Sequence, residues 1–289
     1  MKAKGIVAIV VSAFGFALMA ALVRLADDYG QPLSSFQKSF FRNVVAFVVA
    51  AAVFLRGRRA TGFRRAALGS RLLLLARATL GTIGIFANFY ALSHIPIATG
   101  QMLNKTAPFF TVVFAWAFLG ERAFPRQVAA ILVAFAGAML VVKPGFAGAD
   151  AFPLAIGLIG GAAAGGAYAC VRALRRREVD PAFIILFFSA FSCVASVPFM
   201  VPGFQPMTLA QVAILLGAGA AAALGQFGVT LAYGYAAPRD LAVYNYSSVL
   251  FAAAFGYILF AQVPDVFSVL GFAVIVAGVA ILHSRHQRT

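Results

Sequence analysis

The sequence predicts an all-α membrane protein of ten transmembrane helices, built as two inverted five-helix repeats with both termini cytoplasmic. Three observations carry this expectation: an extreme apolar composition, the regular return of long apolar runs, and the recurrence of the same residues in the second half. Hydrophobic residues make up 63% of the 289 positions and charged residues only 11%, with a mean hydropathy of +0.94. Water cannot solvate a surface of that kind. Apolar runs of about 18 to 20 residues recur along nearly the whole chain, each long enough to cross about 30 Å of hydrocarbon. They leave no room for a soluble domain.

Polar, glycine and proline punctuation places the first five helices near residues 5 to 25, 35 to 55, 71 to 93, 97 to 119 and 126 to 143. The second five follow near 152 to 173, 181 to 201, 208 to 235, 239 to 261 and 265 to 283. The first run, behind Lys2 and Lys4, has no small-residue cleavage site before Arg24 and reads as an uncleaved first helix.

The formal charge of +15 reads as a topology signal rather than a nucleic-acid footprint, because the cations lie between apolar spans. With cytoplasmic termini, most of the 23 Lys and Arg fall inside: Lys2, Lys4, six arginines from Arg56 to Arg71, Arg122, Arg126, four from Arg172 to Arg177, Arg239, Arg285 and Arg288. The outer loops are short and carry Asp27, Asp28, Asp150 and Asp265 against Lys143. The positive-inside rule therefore sets the orientation and a multi-pass inner-membrane location. Cys170 and Cys193 both lie in apolar segments, so neither a disulfide framework nor a metal site is expected.

At an offset of 141 residues, Phe118-Leu-Gly-Glu121 falls on Leu259-Phe-Ala-Gln262, Ala136-Gly137 on Ala277-Gly278, and Asn104 on Asn245. Near the start of each half, Val23-Arg24 falls on Val171-Arg172. The repeats are read as residues 1–145 and 150–289. A unit with an odd number of helices must be inserted the opposite way the second time. The loops agree, since the first-to-second helix loop is acidic and its counterpart after Arg172 is basic. Inverted repeats let two asymmetric arrangements expose one central site to either side.

Four motifs carry a family resemblance: Phe40-Phe41-Arg42-Asn43 opening the second helix, Asn88-Phe-Tyr-Ala-Leu92 ending the third, Ala107-Pro108-Phe-Phe110 in the fourth, and Leu119-Gly120-Glu121-Arg122 closing it. In order and spacing the chain resembles the EamA-type transporters of the drug/metabolite transporter superfamily over essentially its full length. The resemblance implies carriage of small polar metabolites across the cytoplasmic membrane, with no cofactor. Gln262 departs from the pattern, standing where the repeat leads one to expect an acidic residue.

An ionisable group inside a membrane is costly, so each one present is a functional candidate. Lys105 lies about eight residues into the fourth helix, roughly 12 Å from its outer end, too deep for easy snorkelling. Pro108 lacks an N–H for the carbonyl of Asn104, so a helix kink is expected there, with an open carbonyl beside the ammonium. Gln101 stands one turn before Lys105 on the same face. The bland alternative is a tolerated kink with Lys105 reaching a carbonyl or the interface. Lys38 and Arg42 share a face of the second helix, and Arg77, Gly81, Gly84 and Asn88 one of the third. Arg42 and Arg77 either line the same cavity or snorkel. Tyr244, Asn245, Tyr246 and Ser248 open the ninth helix, and Gln226, Thr230 and Tyr233 form a face of the eighth. Such polar stripes line a site or glue helices together. Gly157, Gly161 and Gly165, with Gly217, Ala221 and Gly225, read as close-packing faces, and Glu121 with Arg122 and Arg126 as a cytoplasmic loop cluster.

All eight acidic residues and the three histidines fall at or near loops, so the membrane interior carries cations without carboxylates. That sign favours anions or the carboxylate of a zwitterion and offers no buried carboxylate for proton coupling. The lack of converging nucleophile, base or metal ligands argues against an enzyme. The expectation is a secondary transporter of anionic or zwitterionic metabolites working by alternating access. The alternative is a broad-specificity amino-acid or drug exporter with a mainly aromatic site. The expected partners are the small-molecule substrate and the lipid bilayer, not nucleic acid, and the oligomeric state, monomer or homodimer, stays open.

Overall fold

The computed structural model describes residues 2–61, 68–95, 102–143 and 151–283. Each long apolar run folds as a helix because only a helix satisfies every backbone group within its own segment when no water is present. In order, the helices are α1 (Lys2–Leu25), α2 (Ser35–Thr61), α3 (Leu68–His94), α4 (Ala107–Leu119), α5 (Pro125–Val142), α6 (Ala151–Arg176), α7 (Pro181–Met200), α8 (Leu209–Tyr235), α9 (Ser247–Phe260) and α10 (Val266–His283). No strand occurs among the described residues. Among the described residues nine spans are long and apolar enough to cross a membrane; α10 contributes a shorter apolar stretch, Val266–Ile281.

The local stop and start signals act as their chemistry dictates. Asp180 accepts from the Phe183 N–H and Pro181 opens α7. Thr208 and Gln211 cap each other at the start of α8. Helix α4 ends on Gly120 at φ 69°, with Gly120 N bonding Trp116 O and Glu121 N bonding Ala115 O. Helix α9 ends the same way, with Ala261 N on Tyr257 O and Gln262 N on Gly256 O, but there a non-glycine sits at φ 52°. Alanine in that region is strained by its Cβ. Ala261→Gly is expected to stabilise the protein by about 1 kcal/mol, read as a higher melting temperature in detergent with transport unchanged. No change or a decrease would show that the strain is relieved elsewhere.

Arginines cap carbonyls at several helix C-terminal ends. Arg172 Nη1 donates to Tyr233 O of α8, Arg176 Nη1 to Leu119 O of α4, and Arg126 Nε to Ile281 O of α10, at 2.9, 3.2 and 2.5 Å. Cations are favoured there because these carbonyls lack intrahelical donors and carry the negative end of the helix dipole. Glu121 is not a cluster with Arg122 and Arg126, as sequence proximity implied; it pairs with Arg172 and Arg176 of α6. On the opposite side Lys143 and Asp265 form an ion pair, and Lys143 and Ser268 hold the Asp265 carboxyl down at about 2. Lys38, expected to share a cavity face with Arg42, instead bonds Asp27 at 2.6 Å.

The principal packing pairs are α1 with α8 and α9, α6 with α3 and α4, α2 with α7 and α8, α3 with α7, and α5 with α10. Exchanging α1–α5 for α6–α10 in order maps this set onto itself. The core is made mostly of small residues, such as Ala46, Ala50, Ala78, Ala91, Ala130, Ala134 and Ala138, while large apolar side chains such as Leu72, Phe118 and Val194 face outward. That is the inversion expected in lipid, where helices associate by close backbone approach rather than by a hydrophobic drive. A Cβ on Gly15 would lie 2.8 Å from Ala221 O and 2.7 Å from Gly225 N, and one on Gly84 3.2 Å from Gly160 O. Gly157, Gly161 and Gly165 are as crowded, whereas Gly217 meets only Leu22 at 3.7 Å.

Candidate functional site

Lys105 lies at a break in the fourth span. Helical turns at 102–104 give way at Lys105–Thr106 to i→i−3 bonds, Lys105 N to Met102 O and Thr106 N to Leu103 O, before α4 begins at Ala107. Pro108 therefore occupies the first turn of a new helix, a position that needs no N–H, and not a kink inside a continuous one. The ninth span is interrupted at the matching place, where Ala242–Tyr246 is 3₁₀ and α9 starts at Ser247.

The two breaks face each other. The Lys105 ammonium donates to Ser248 Oγ at 2.7 Å, and the Tyr246 hydroxyl donates to Lys105 O at 3.1 Å. Ser248 Oγ in turn donates to Asn245 O at 2.8 Å, fixing the acceptor that Lys105 uses. Asn104 is half-buried next in sequence, and Gln101 lies outside the described residues. Lys105 is half-buried near the start of the described stretch Met102–Leu119, with its ammonium on Ser248 of α9.

Arg77 forms a second cationic locus. It is 3% exposed, donates from Nη2 to Gln226 Oε1 at 3.2 Å, and stacks over Phe188 at 3.9 Å from the ring centre. Gly81 makes room for it, since a Cβ there would meet Arg77 Nη1. Arg42 and Tyr168 lie close enough to Arg77 to interact with it electrostatically. The Nε atoms of both Arg42 and Arg77 are buried without a partner.

The rings of Tyr168 on α6 and Tyr233 on α8 lie 5.8 Å apart. Of the expected residues, the structure thus sets Lys105 beside the turn that holds Asn245, and Arg77 on Gln226. The Asn88 backbone nitrogen packs against Gly160 of α6, and Tyr244 is buried in the same apolar cluster as Tyr233 and Tyr246. Ser248 and Tyr246, read only as members of a polar stripe, prove to be the direct partners of Lys105. Tyr168 and Phe188 gave no sequence signal, because an aromatic among apolar residues looks like any other. An apolar recess of about 430 Å³ between α2 and α8, lined by Val49, Val53 and Phe227 among others, has no polar group to hold a metabolite.

Residues 3–143 match the EamA-like transporter family. Over 274 residues the chain is 31% identical to a pseudopaline exporter of Pseudomonas aeruginosa, covering 94% of this chain and 93% of that protein. This chain belongs to the EamA-like transporter family. A riboflavin transporter of Rhizobium johnstonii is 27% identical over 217 residues, 74% of this EamA-like chain and 70% of its relative. A solved crystal structure superposes with a TM-score of 0.77 at 19% identity, covering 96% of this chain and 99% of that one, a likeness of fold. The EamA-like chain is thus a multi-pass inner-membrane transporter of small molecules, and not an enzyme.

Proposed function

We propose that this EamA-like protein is a secondary transporter of small anionic or zwitterionic metabolites, working by alternating access around Lys105. The observation that carries the reading is the hydrogen bond from Lys105 to Ser248 across two broken spans. An ammonium held where two helices lack regular backbone is placed to take a negative group, and the interruptions supply backbone polar groups beside it. Asn104 and Gln101 orient the solute, Asn245 and Gln226 supply neutral hydrogen bonds, and Arg42 and Arg77 shape the field. Relatives named for pseudopaline export and riboflavin transport support a small organic solute.

In this reading the chain has ten spans, cytoplasmic termini and two inverted repeats, 1–145 and 150–289. The packing set that maps onto itself when the halves are exchanged supports it, as do the matching C-caps at Gly120 and Ala261. Rocking of one repeat against the other would then open the Lys105 region to alternate sides.

The test is uptake of labelled anionic, zwitterionic and cationic metabolites into proteoliposomes by wild type and Lys105→Ala. Anions or zwitterions are expected to enter, and the variant to lose uptake at least about 100-fold, as removing a buried charged contact costs about 3 kcal/mol, while its melting temperature stays within a few degrees. Equal carriage of cations by both proteins would sink the cationic-site reading and favour the aromatic one built on Tyr168, Tyr233 and Phe188.

A further inference from the structure

We infer that the transported solute carries two anionic groups, one bound by Lys105 and the other by the Arg42–Arg77 pair, with its carbon skeleton against Tyr168 and Tyr233. This rests on the reading of the Lys105 region as a substrate site and goes beyond it in fixing the number of charges.

The argument is a charge count. Arg42, Arg77 and Lys105 lie inside the spans with no ion pair among the described residues, and every acidic residue is at or near a loop. Described carboxylates are engaged elsewhere: Asp27 with Lys38, Glu121 with Arg172, and Asp265 with Lys143. Asp240 accepts from Gln127, and Asp180 caps α7. Each unpaired charge taken out of water is costly by several kcal/mol, so a compensating anion must come from outside the chain.

One anion does not suffice, because the cations form two groups. Arg42 and Arg77 interact with each other as like charges and share Tyr168. Both Nε atoms are buried donors without a partner, that of Arg77 left over after Gln226 and Phe188 are served. A carboxylate or phosphate accepting from two guanidinium forks removes the repulsion and satisfies those donors together. Lys105 belongs to the other group, anchored by Ser248 and Tyr246. An ammonium has three donors, and Ser248 takes one. Tyr168 and Tyr233, with ring centres 5.8 Å apart, offer ring faces to a carbon chain rather than another charge.

The test uses purified protein in proteoliposomes and a ladder of labelled straight-chain dicarboxylates, from succinate to suberate, each beside its own monoamide. At one or two chain lengths the dianion is expected to be taken up with an apparent affinity about tenfold or more above its monoamide. Lys105→Gln and Arg77→Gln should each reduce that preference to near one, with Arg42→Gln as the second probe of the arginine locus if Arg77→Gln lowers the melting temperature. Equal handling of dianion and monoamide, uptake of no ladder member, or a preference that survives both Lys105→Gln and an arginine substitution would overturn the inference. If monoanions or zwitterions enter in a Lys105-dependent way without preference for the dianion, the cationic-site reading stands and only the two-anion inference falls.

Discussion

Gly137→Val is expected to separate α5 from α10 and to be the most damaging single substitution away from the site. A Cβ on Gly137 would lie 2.7 Å from Gly271 O, 2.8 Å from Ile275 N and 2.9 Å from Ile275 Cγ1. Two of these atoms are backbone and cannot rotate away. The opposing contact repeats the arrangement one offset later, with Gly278 against Ala130 O at 2.9 Å, so the helix pair is clamped at two matching points. Relief requires the helices to move apart along their length. Lipid tails are as apolar as the helices they replace, so nothing but close packing draws the pair together. Overpacking a well-filled interface costs about 1–3 kcal/mol or more, and the upper end applies where the clash is with backbone. The expected result is a sharp fall in monodisperse yield and melting temperature, while Gly217→Ala, which meets only Leu22 at 3.7 Å, stays close to wild type. A Gly137→Val protein as stable as Gly217→Ala would show that this interface is looser than the structure has it.

The contrast between these glycines shows what sequence periodicity conveys. Spacing of four marks a smooth face, and Gly157, Gly161 and Gly165 do lie against neighbours. Gly217 satisfies the same rule and packs against almost nothing, because spacing does not say which helix is opposite. The site divides in the same way. Lys105 stood out as a candidate from its place in an apolar run, since an ammonium there is unusual. Its partners Ser248 and Tyr246, 143 and 141 residues away, did not, because pairing between halves is a property of the folded bundle. Glu121 finds its partner Arg172 in the other half for the same reason, while Lys38 finds Asp27 on the preceding element of its own half. Gln262, the departure from the repeat, acquires a structural meaning as well. With its amide oxygen toward Arg24, it accepts from both terminal nitrogens at 2.9 and 3.1 Å. Arg24 corresponds to Arg172, and Gln262 to Glu121, so one arrangement occurs twice, charged in one half and half-neutral in the other.

The charged version should dominate stability. Arg172 reaches Glu121 Oε1 from Nε at 2.9 Å and from Nη2 at 2.8 Å, and donates from Nη1 to Tyr233 O. It therefore ties the end of α4 to the end of α8 through α6. Both side chains are largely buried, at 16% and 11% exposure. Arg172→Met leaves the Glu121 carboxylate with only Arg176 at 3.7 Å and opens the α8 carbonyl. Breaking one side of a buried pair costs about 3–5 kcal/mol, and the partial exposure places this case near 3 kcal/mol, a fall in melting temperature on the order of 10 °C. Adding Glu121→Gln to Arg172→Met removes the stranded charge and should recover about half of that loss or more, since the penalty belongs to the unpaired carboxylate rather than to the missing attraction. In the other half, Gln262→Glu gives Arg24 a carboxylate and should raise the melting temperature in low salt and less so in high salt. Thermal unfolding of the four proteins in one detergent decides the matter: if the double variant melts no higher than Arg172→Met, then Arg172 acts by capping Tyr233 O and the ion pair contributes little.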